Sequence, residues 1–270
     1  MAEFYYTWQM KTPETRLLSV SFNHPSMKSA AEAFAQTHEL ACQPLHKAHS
    51  ELTLNYTETG LEIIDLKEKM SLNVDFTGGS LGHRKKYGGG RGQTIAKAIG
   101  IKQGKPAPDI LDATAGLAKD SYVFACLGCK VTLLERSPVI AALVQDGISR
   151  GKLNIEFSET IHRGFTLYNT DALQYILAID EKNRPEVIYL DPMYPGKKKS
   201  ASVKKNMQIL QKLLGHDLDT SDVLKAALGK AQKRVVVKRP KTAVALLSEY
   251  KATLSYESKA TRYDVYVISK

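Results

Sequence analysis

The sequence predicts an α/β protein with a mostly parallel sheet, an antiparallel C-terminal hairpin and a small α+β domain on the N-terminal side. From residue 93 onward, strand patterns alternate with helical patterns, which is typical of parallel sheets covered by helices on both faces. The last two strand patterns follow each other without a helix between them and therefore predict a hairpin. Before residue 76, three strand patterns follow one another like a meander, which indicates a separate architecture.

A glycine-rich basic segment separates these two regions. Residues 76–92, FTGGSLGHRKKYGGGRG, contain seven glycines, and such a composition is typical of a connecting loop. We therefore predict an N-terminal domain over residues 1–75 and a larger domain over residues 76–270. In the smaller domain the predicted helix covers 26–40, and the predicted strands cover 15–22, 51–57, 61–66 and 71–76.

The larger domain alternates between short apolar runs and amphipathic segments. Its predicted strands cover 108–114, 130–135, 165–171, 186–191, 234–239, 252–258 and 262–269. Its predicted helices cover 93–101, 115–128, 137–148, 171–179, 202–215 and 222–232. Ser137 and Pro138 are expected to be the cap and first turn of one helix, because both residues favour those positions.

The overall composition excludes several classes of protein. Of the 270 residues, 43% are hydrophobic and 24% are charged, which is typical of a globular protein. No apolar stretch is long enough to span a bilayer, and the first residues lack the pattern of a secretion signal. Three cysteines do not form a disulfide framework, so we expect a cytoplasmic protein without a membrane partner.

The net charge of +10 is distributed unevenly along the chain. Residues 1–75 carry six basic and ten acidic residues, so the positive charge belongs to the rest of the chain. Segment 76–108 holds seven basic residues and no acidic one, and segment 192–216 holds six lysines and no acidic one. Two basic tracts without acids indicate a polyanionic partner, with nucleic acid as the first candidate. A basic surface without such a partner is the competing interpretation.

Acidic side chains follow four successive strands of the predicted parallel sheet. Asp112 begins the sequence DATAGLAKD, in which Gly116 allows close approach to the backbone, and Glu135 follows the next strand. Asp171, after Thr170, and Asp191 follow the third and fourth. Ligands of doubly wound sheets bind at the carboxyl ends of the strands, and an acid after the second strand suits ribose hydroxyls. The set favours a nucleoside cofactor, although Asp112 and Asp171 taken singly are equally suited to capping helices.

Three stretches of the larger domain resemble a known family of enzymes. The stretches ILDATAGLAKDSYV, LLERSPVIAAL and YLDPMYPGKKKSASVKK are similar to class I S-adenosylmethionine-dependent methyltransferases. More narrowly, they resemble the RsmJ family of bacterial 16S rRNA guanine-N2 methyltransferases, as do HRKKYGGGRG and the segment 238–267. The resemblance covers about residues 74–270 and implies a Rossmann-like methyltransferase domain.

The resemblance also implies S-adenosyl-L-methionine as the cofactor and a set of contacts for it. Those contacts fall on Lys119, Asp120, Glu135, Arg136, Thr170, Asp171 and Asp191. From the first strand and its loop we add Asp112, Thr114 and Gly116 to the predicted cofactor site. The implied partner is 16S ribosomal RNA or the small ribosomal subunit, and no obligate protein partner is evident.

The sequence DPMYP after the fourth strand is suited to binding an exocyclic amino group. The lone pair of a guanine 2-amino group is delocalised into the ring, so the amine is a poor nucleophile. The Asp191 carboxylate and the Pro192 carbonyl are predicted to accept its two N–H bonds, and Tyr194 to stack on the extruded base. The motif resembles the Asp/Asn-Pro-Pro-aromatic motif of amino-directed methyltransferases, from which Met193 departs.

Basic residues on both sides of this motif are candidates for RNA contacts. The lysines that follow it are predicted to contact phosphates beside the target base: Lys197, Lys198, Lys199, Lys204 and Lys205. A solvated start of a helix is the alternative interpretation. The glycine-rich segment contributes Arg84, Lys85, Lys86 and Arg91, and it is suited equally to clamping RNA and to linking domains.

Two groups of potential metal ligands do not predict a metal site. His38, Cys42, His46 and His49 match no common zinc-finger spacing, and Pro44 interrupts them. Cys126 and Cys129 lie near the end of a predicted helix, whereas a redox pair would lie at a helix start. We therefore predict no metal.

Two other functions compatible with the sequence remain open. The first is methylation of a different amino group, such as adenine N6 or a glutamine amide. The second is a non-catalytic RNA-binding factor for ribosome assembly that retains a cofactor pocket. A nicotinamide-dependent oxidoreductase is disfavoured, because the G-x-G-x-x-G motif is absent.

Overall fold

The structure, a computed structural model, describes residues 18–78, 92–192, 201–214, 220–243, 246 and 249–269. For residues 201–206 it describes the helical backbone alone. The chain divides into two compact units. The described parts of Met1–Asp75, Ser137–Arg150 and Pro195–His216 form the first, and those of Phe76–Arg136, Gly151–Tyr194 and Asp217–Lys270 form the second. The domain boundary expected between residues 75 and 76 stays a prediction.

The first unit contains a five-stranded mixed sheet. Its elements are β1 (Leu18–Phe22), α1 (Lys28–Thr37), β2 (Cys42–Pro44), β3 (Leu52–Thr57), β4 (Gly60–Asp65) and β5 (Met70–Leu72). The strand order is β2-β1-β3-β4-β5, with β1 parallel to both of its neighbours and β3, β4 and β5 antiparallel. The predicted meander is therefore confirmed. Strand β2 was not predicted, because its residues Cys42–Pro44 include a glutamine and a proline and show no apolar pattern.

The second unit contains a seven-stranded sheet. Its strands are β6 (Ile110–Asp112), β7 (Val131–Glu135), β8 (Phe165–Asn169), β9 (Val187–Leu190), β10 (Arg234–Pro240), β11 (Leu254–Glu257) and β12 (Thr261–Val267). Their order is β11-β12-β10-β9-β6-β7-β8, and β6 to β10 are mutually parallel. Strand β12 is antiparallel to both β10 and β11. The predicted Rossmann-like sheet and its C-terminal hairpin are confirmed.

The described residues contain seven further α-helices. They are α2 (Thr94–Ala98), α3 (Lys119–Cys126), α4 (Pro138–Gly151), α5 (Ile155–Ile161), α6 (Ala172–Leu177), α7 (Ala201–Leu214) and α8 (Thr220–Lys230). The predicted cap of α4 is confirmed, because the Ser137 hydroxyl accepts a hydrogen bond from the Ile140 amide. Helix α5 was not predicted. No helix in the described ranges combines the length and apolar composition that crossing a bilayer requires.

Apolar side chains cover the two faces of the larger sheet. One face packs Leu111, Ile188 and Val235 against Ile176 of α6 and Leu224 of α8, all of them fully or almost fully buried. Alternate residues along β9 point to opposite faces, so Tyr189 faces the other side and packs edge-on against Phe124 of α3. Because apolar residues fill the two faces, the polar groups of this sheet lie at its carboxyl edge.

Candidate active site

Polar residues from five parallel strands meet at the carboxyl edge of the larger sheet. Asp112 and Glu135 are the last residues of β6 and β7, whereas Asp171 and Asp191 come shortly after β8 and β9. Lys238 lies near the end of β10. Because these strands are parallel neighbours, their ends lie side by side, as predicted for the four acids.

Asp112 anchors the loop that joins β6 to α3. It is 2% exposed, and its carboxylate accepts hydrogen bonds from the Ser121 hydroxyl and, at 3.1 Å, from the Thr114 amide. Burial raises the pKa of this carboxyl group to about 7, even though both hydrogen bonds favour the charged form. Asp112 therefore fixes the loop from inside the fold.

Glu135 connects the same loop to the second strand. Its carboxylate accepts a hydrogen bond of 3.0 Å from the Gly116 amide, and its side chain is almost fully buried. Gly116 has a φ of +51°, a backbone conformation in which glycine lacks the steric penalty of a side chain. Ala118 adopts a similar φ of +55° immediately before α3. The loop is thus held in a special backbone conformation by the acid of the neighbouring strand.

The end of β8 is attached to the end of β7. The Thr170 amide donates a 3.0 Å hydrogen bond to the Glu135 carbonyl. The Asn169 side chain donates to the carbonyls of Glu135 and Arg136. The Asp171 carboxylate accepts a 2.9 Å hydrogen bond from the Gln174 amide and caps α6. The capping interpretation of Asp171 is therefore confirmed, and its contact with a cofactor stays a prediction.

Asp191 is held by both its backbone and its side chain. Its amide donates a 2.6 Å hydrogen bond to the Thr114 hydroxyl. Its carboxylate lies 2.6 Å from the Lys238 ammonium, which also lies 2.7 Å from the carboxylate of Asp120. The Tyr189 hydroxyl donates to that same Asp120 carboxylate over 2.7 Å. These contacts join β6, α3, β9 and β10 into one polar network.

Lys238 is the cation of this network. Burial lowers the pKa of its ammonium group, but the charges of Asp191 and Asp120 outweigh burial, and the net shift is upward. Lys238 therefore stays protonated throughout the neutral range. Lys238 carries one positive charge, and the carboxylates of Asp120 and Asp191 carry two negative charges. The three side chains therefore have a net charge of −1 even before Asp112 ionises.

The structure brings together most of the residues predicted to bind a cofactor. Hydrogen bonds link Asp112, Thr114, Asp191 and, through Lys238, Asp120 in one group. They link Gly116, Glu135 and Thr170 in a second group. Lys119 and Arg136 are adjacent to members of this set, and Lys119 is exposed at the first position of α3. Pro192 is buried next to Asp191.

Several predicted functional residues lie outside the described part of the chain or its described side chains. Tyr194 and the RNA candidates Arg84, Lys85, Lys86, Arg91, Lys197, Lys198 and Lys199 are outside the described residues. Lys204 and Lys205 belong to α7, but their side chains are not among those described. The RNA contacts therefore stay predictions.

Sequence reasoning missed Ser121, Tyr189 and Lys238 as members of the site. Ser121 and Tyr189 are buried within predicted elements, where each is also suited to a purely structural role. Lys238 offered a stronger signal, because it directly follows three buried valines in a strand beside the strand that ends at Asp191. A charged residue at such a position requires a partner of opposite charge.

The chemistry of this edge fits S-adenosylmethionine. A sulfonium is a cation, and the edge offers an excess of carboxylates. A Cβ added at Gly116 would meet its nearest heavy atom only at 4.0 Å, so the positive φ rather than crowding explains this glycine. The strand order, the acid after the second strand and the Asp-Pro after the fourth define a class I S-adenosylmethionine-dependent methyltransferase.

Comparisons with known proteins agree with this class. A protein-family model described as "Putative SAM-dependent methyltransferase" matches residues 34–268. The ribosomal RNA small subunit methyltransferase J of Aeromonas salmonicida is 48% identical over 87% of this chain and 94% of its own length. That of Vibrio parahaemolyticus is 44% identical over 90% of this chain and 95% of its own length. The chain belongs to the ribosomal RNA small subunit methyltransferase J family, which confirms the resemblance stated from the sequence.

A solved structure supports the fold over nearly the whole chain. The crystal structure of a SAM-dependent methyltransferase from Neisseria gonorrhoeae is 32% identical and superposes with a TM-score of 0.71. The match covers 93% of this chain and 96% of the other. The protein is an S-adenosylmethionine-dependent methyltransferase.

Proposed function

We propose that this enzyme methylates the exocyclic N2 of a guanosine in 16S ribosomal RNA, in the bacterial cytoplasm. Relatives that cover most of the chain carry the name ribosomal RNA small subunit methyltransferase J. The guanine N2 position follows from the family resemblance and from the chemistry of Asp191. The observation that carries the proposal is a carboxylate held at the carboxyl edge of the sheet by Thr114 and Lys238.

Asp191 and Pro192 would activate the amine. When bound, S-adenosylmethionine supplies an electrophilic methyl group on a sulfonium. The Asp191 carboxylate and the Pro192 carbonyl would accept the two N–H bonds of the amine and direct its lone pair toward that methyl group. As the new N–C bond formed and the methyl–sulfur bond broke to leave a neutral thioether, the amine would become acidic, and Asp191 would receive the proton that it loses. Tyr194 would stack on the base.

The cofactor would lie along the loop and strand ends described above. Glu135 would accept hydrogen bonds from the ribose hydroxyls, which is the usual role of an acid at the end of a second strand. Gly116 and Thr114, in the loop after β6, would face the cofactor, and Asp112 would hold that loop in place. The same proposal retains Lys119, Asp120, Arg136, Thr170 and Asp171 as the further cofactor contacts.

Ribosomal RNA or the small subunit would be held by positive charge. The sequence carries a net charge of +10, and both basic tracts lack acids. Lysines after the Asp191 motif and basic residues of the glycine-rich segment would contact phosphates, which fix register without reading sequence. The distribution of charge thus supports a polyanionic substrate.

Methyl transfer from tritium-labelled cofactor to 30S particles and to bare 16S RNA tests this function. We expect incorporation at a guanine N2, mapped by digestion and mass analysis. The variant Asp191→Ala should lose at least about 100-fold in kcat, because it removes the acceptor that orients the amine. RNA affinity should change little.

The matched control is Asp180→Ala, which removes an exposed carboxylate from a loop after α6. Its turnover should equal that of the wild type. Label found on adenine N6 or on a protein amide would contradict the assigned substrate. Full turnover by Asp191→Ala would contradict the assigned role of Asp191.

A further inference from the structure

Lys238 occupies a position where a charged side chain is costly. Strand β10 lies between β9 and β12, and its residues Val235, Val236 and Val237 are completely buried. The pairing of Val237 with Leu190 brings Lys238 level with Asp191. The Lys238 side chain is three-quarters buried, and burial of an ammonium group is unfavourable unless paired carboxylates offset it. The contacts with Asp120 and Asp191 provide that offset.

We propose that Lys238 is a positioning residue for methyl transfer, which bridges Asp120 to Asp191 and thereby holds the Asp191 carboxylate in one orientation. This inference rests on the proposed function only in taking Asp191 as the acceptor of the substrate amine. Lys238 acts through Asp191 and is therefore not itself a catalytic residue.

The contacts around Lys238 define where Asp191 lies. The Asp120 carboxylate is fixed at the start of α3 and accepts the Tyr189 hydroxyl at 2.7 Å. The Lys238 ammonium donates hydrogen bonds to this Asp120 carboxylate and to the Asp191 carboxylate. The Thr114 hydroxyl accepts a hydrogen bond from the Asp191 amide. The reacting carboxylate is thus anchored at both its backbone and its side chain before any substrate binds, which is the preorganisation that transfer reactions require.

The ammonium also separates like charges. Among the described residues, the titratable groups near this point include Asp112 of β6, Asp120 of α3, Tyr189 of β9 and Tyr263 of β12, which is paired with Lys238. None of these can supply a positive charge. Loss of Lys238 would remove a positive charge that lies 2.6 Å from the Asp191 carboxylate, while the Asp120 carboxylate would remain, so the pKa of Asp191 would rise. A protonated Asp191 would accept fewer N–H bonds and would no longer direct the lone pair.

Two substitutions that should shift the acidic limb of the kcat–pH profile in opposite directions test the proposal. In Lys238→Met, the acidic limb of the kcat–pH profile should move upward by about one pH unit or more, because a partner of opposite charge is lost. At pH 7, kcat should fall about 100-fold, the loss expected from a misplaced reacting group. In Asp120→Asn, a like charge is lost and the ammonium remains, so the acidic limb should move downward.

The control is Lys233→Met, which removes an exposed lysine immediately before β10. Lys233 pairs with Glu186 at the amino edge of the sheet, far along the strand from Asp191. Its pH profile and kcat should match the wild type. Lys238→Arg keeps the charge, so its acidic limb should stay near that of the wild type while its kcat falls by less than that of Lys238→Met.

A direct titration separates this inference from the proposed function. Carbon-13 NMR of the Asp191 carboxyl group in the cofactor-free protein should show its midpoint raised in Lys238→Met and lowered in Asp120→Asn. Unmoved midpoints and unmoved acidic limbs would overturn the inference, even if guanine N2 is methylated. Should Lys238→Met fail to fold, an unmoved or raised midpoint in Asp120→Asn overturns it alone. Shifted midpoints with label at another atom would support the inference and contradict the proposed substrate.

Discussion

Asp112 illustrates how burial and hydrogen bonding compete at a single carboxyl group. Burial raises its pKa to about 7, whereas the hydrogen bonds from Ser121 and Thr114 favour the charged form. A carboxyl group whose pKa is raised on folding stabilises the folded state most below its unfolded pKa, near 4. That contribution is lost as the pH rises toward the folded pKa. Asp112 should therefore make the protein less stable at pH 8 than at pH 5.

We expect Asp112→Asn to remove this dependence. The amide can still accept from the Thr114 backbone and can donate to Ser121, but it does not ionise. Relative to the wild type, the variant should gain in free energy of unfolding as the pH is raised from 5 to 8. Urea unfolding at several pH values measures this difference. A difference that stays constant over this range would show that the Asp112 pKa is not raised.

At the scale of residues, acids were easier to predict than their partners. Asp112, Glu135 and Asp191 come at the ends of apolar strands, and the parallel topology dictates that such ends meet. Lys238 was missed because its contacts with Asp120 and Asp191 join residues 118 and 47 positions apart. A single sequence shows the need for a buried partner but not which partner meets it.

Two glycines in helices show how neighbouring elements decide the effect of one substitution. A Cβ added at Gly147 of α4 would lie 2.7 Å from the Val74 side chain and 2.9 Å from the Val74 carbonyl oxygen. A Cβ added at Gly229 of α8 would meet no atom of the described residues within 4 Å. Gly147 therefore allows close packing, whereas Gly229 only lowers the stability of its helix.

The substitutions Gly147→Ala and Gly229→Ala should change stability in opposite directions. Gly147→Ala should lower the free energy of unfolding by about 1 to 3 kcal/mol through overpacking. Gly229→Ala should raise it by about 0.5 kcal/mol, because alanine loses less backbone entropy in a helix. Each variant is the control for the other in urea unfolding followed by circular dichroism. Equal effects would contradict the packing argument.

At the scale of elements, the apolar pattern rather than length decided which predictions succeeded. The strands of the larger sheet that have clear apolar runs, and the helices that have periodic patterns, were predicted to within a few residues of their ends. The three-residue strand β2 and the seven-residue helix α5 were missed. Helix α5 begins at the Asn154 cap and buries only Phe157, against the rings of Phe76 and Tyr122. A single buried residue gives no periodic sequence pattern, so this helix is stabilised mainly by the tertiary contacts of Phe157.

For the whole molecule, the net charge of +10 predicts RNA binding that weakens steeply with salt. Replacing Lys197, Lys198 and Lys199 by alanine should make the slope of log affinity against log salt shallower by about 2 to 3. Filter binding to 16S RNA over a range of salt concentrations measures the slope. Affinity for the cofactor should stay unchanged.

The control replaces Lys28, Lys47 and Lys67, three exposed lysines of the first unit. These substitutions remove the same charge, so a general electrostatic effect would change both slopes equally. Only the first triple variant should show the large change if the lysines after the Asp191 motif contact phosphates. Equal slopes for both variants would contradict that assignment.

The position of β12 has a consequence for synthesis of the chain. Residues Thr261–Val267 occupy an interior place in the larger sheet, between β10 and β11. Translation proceeds from the N-terminus, so β10 acquires this neighbour only when those residues have left the exit tunnel. Until then the hydrogen-bonding edge of the strand that carries Lys238 stays open to solvent.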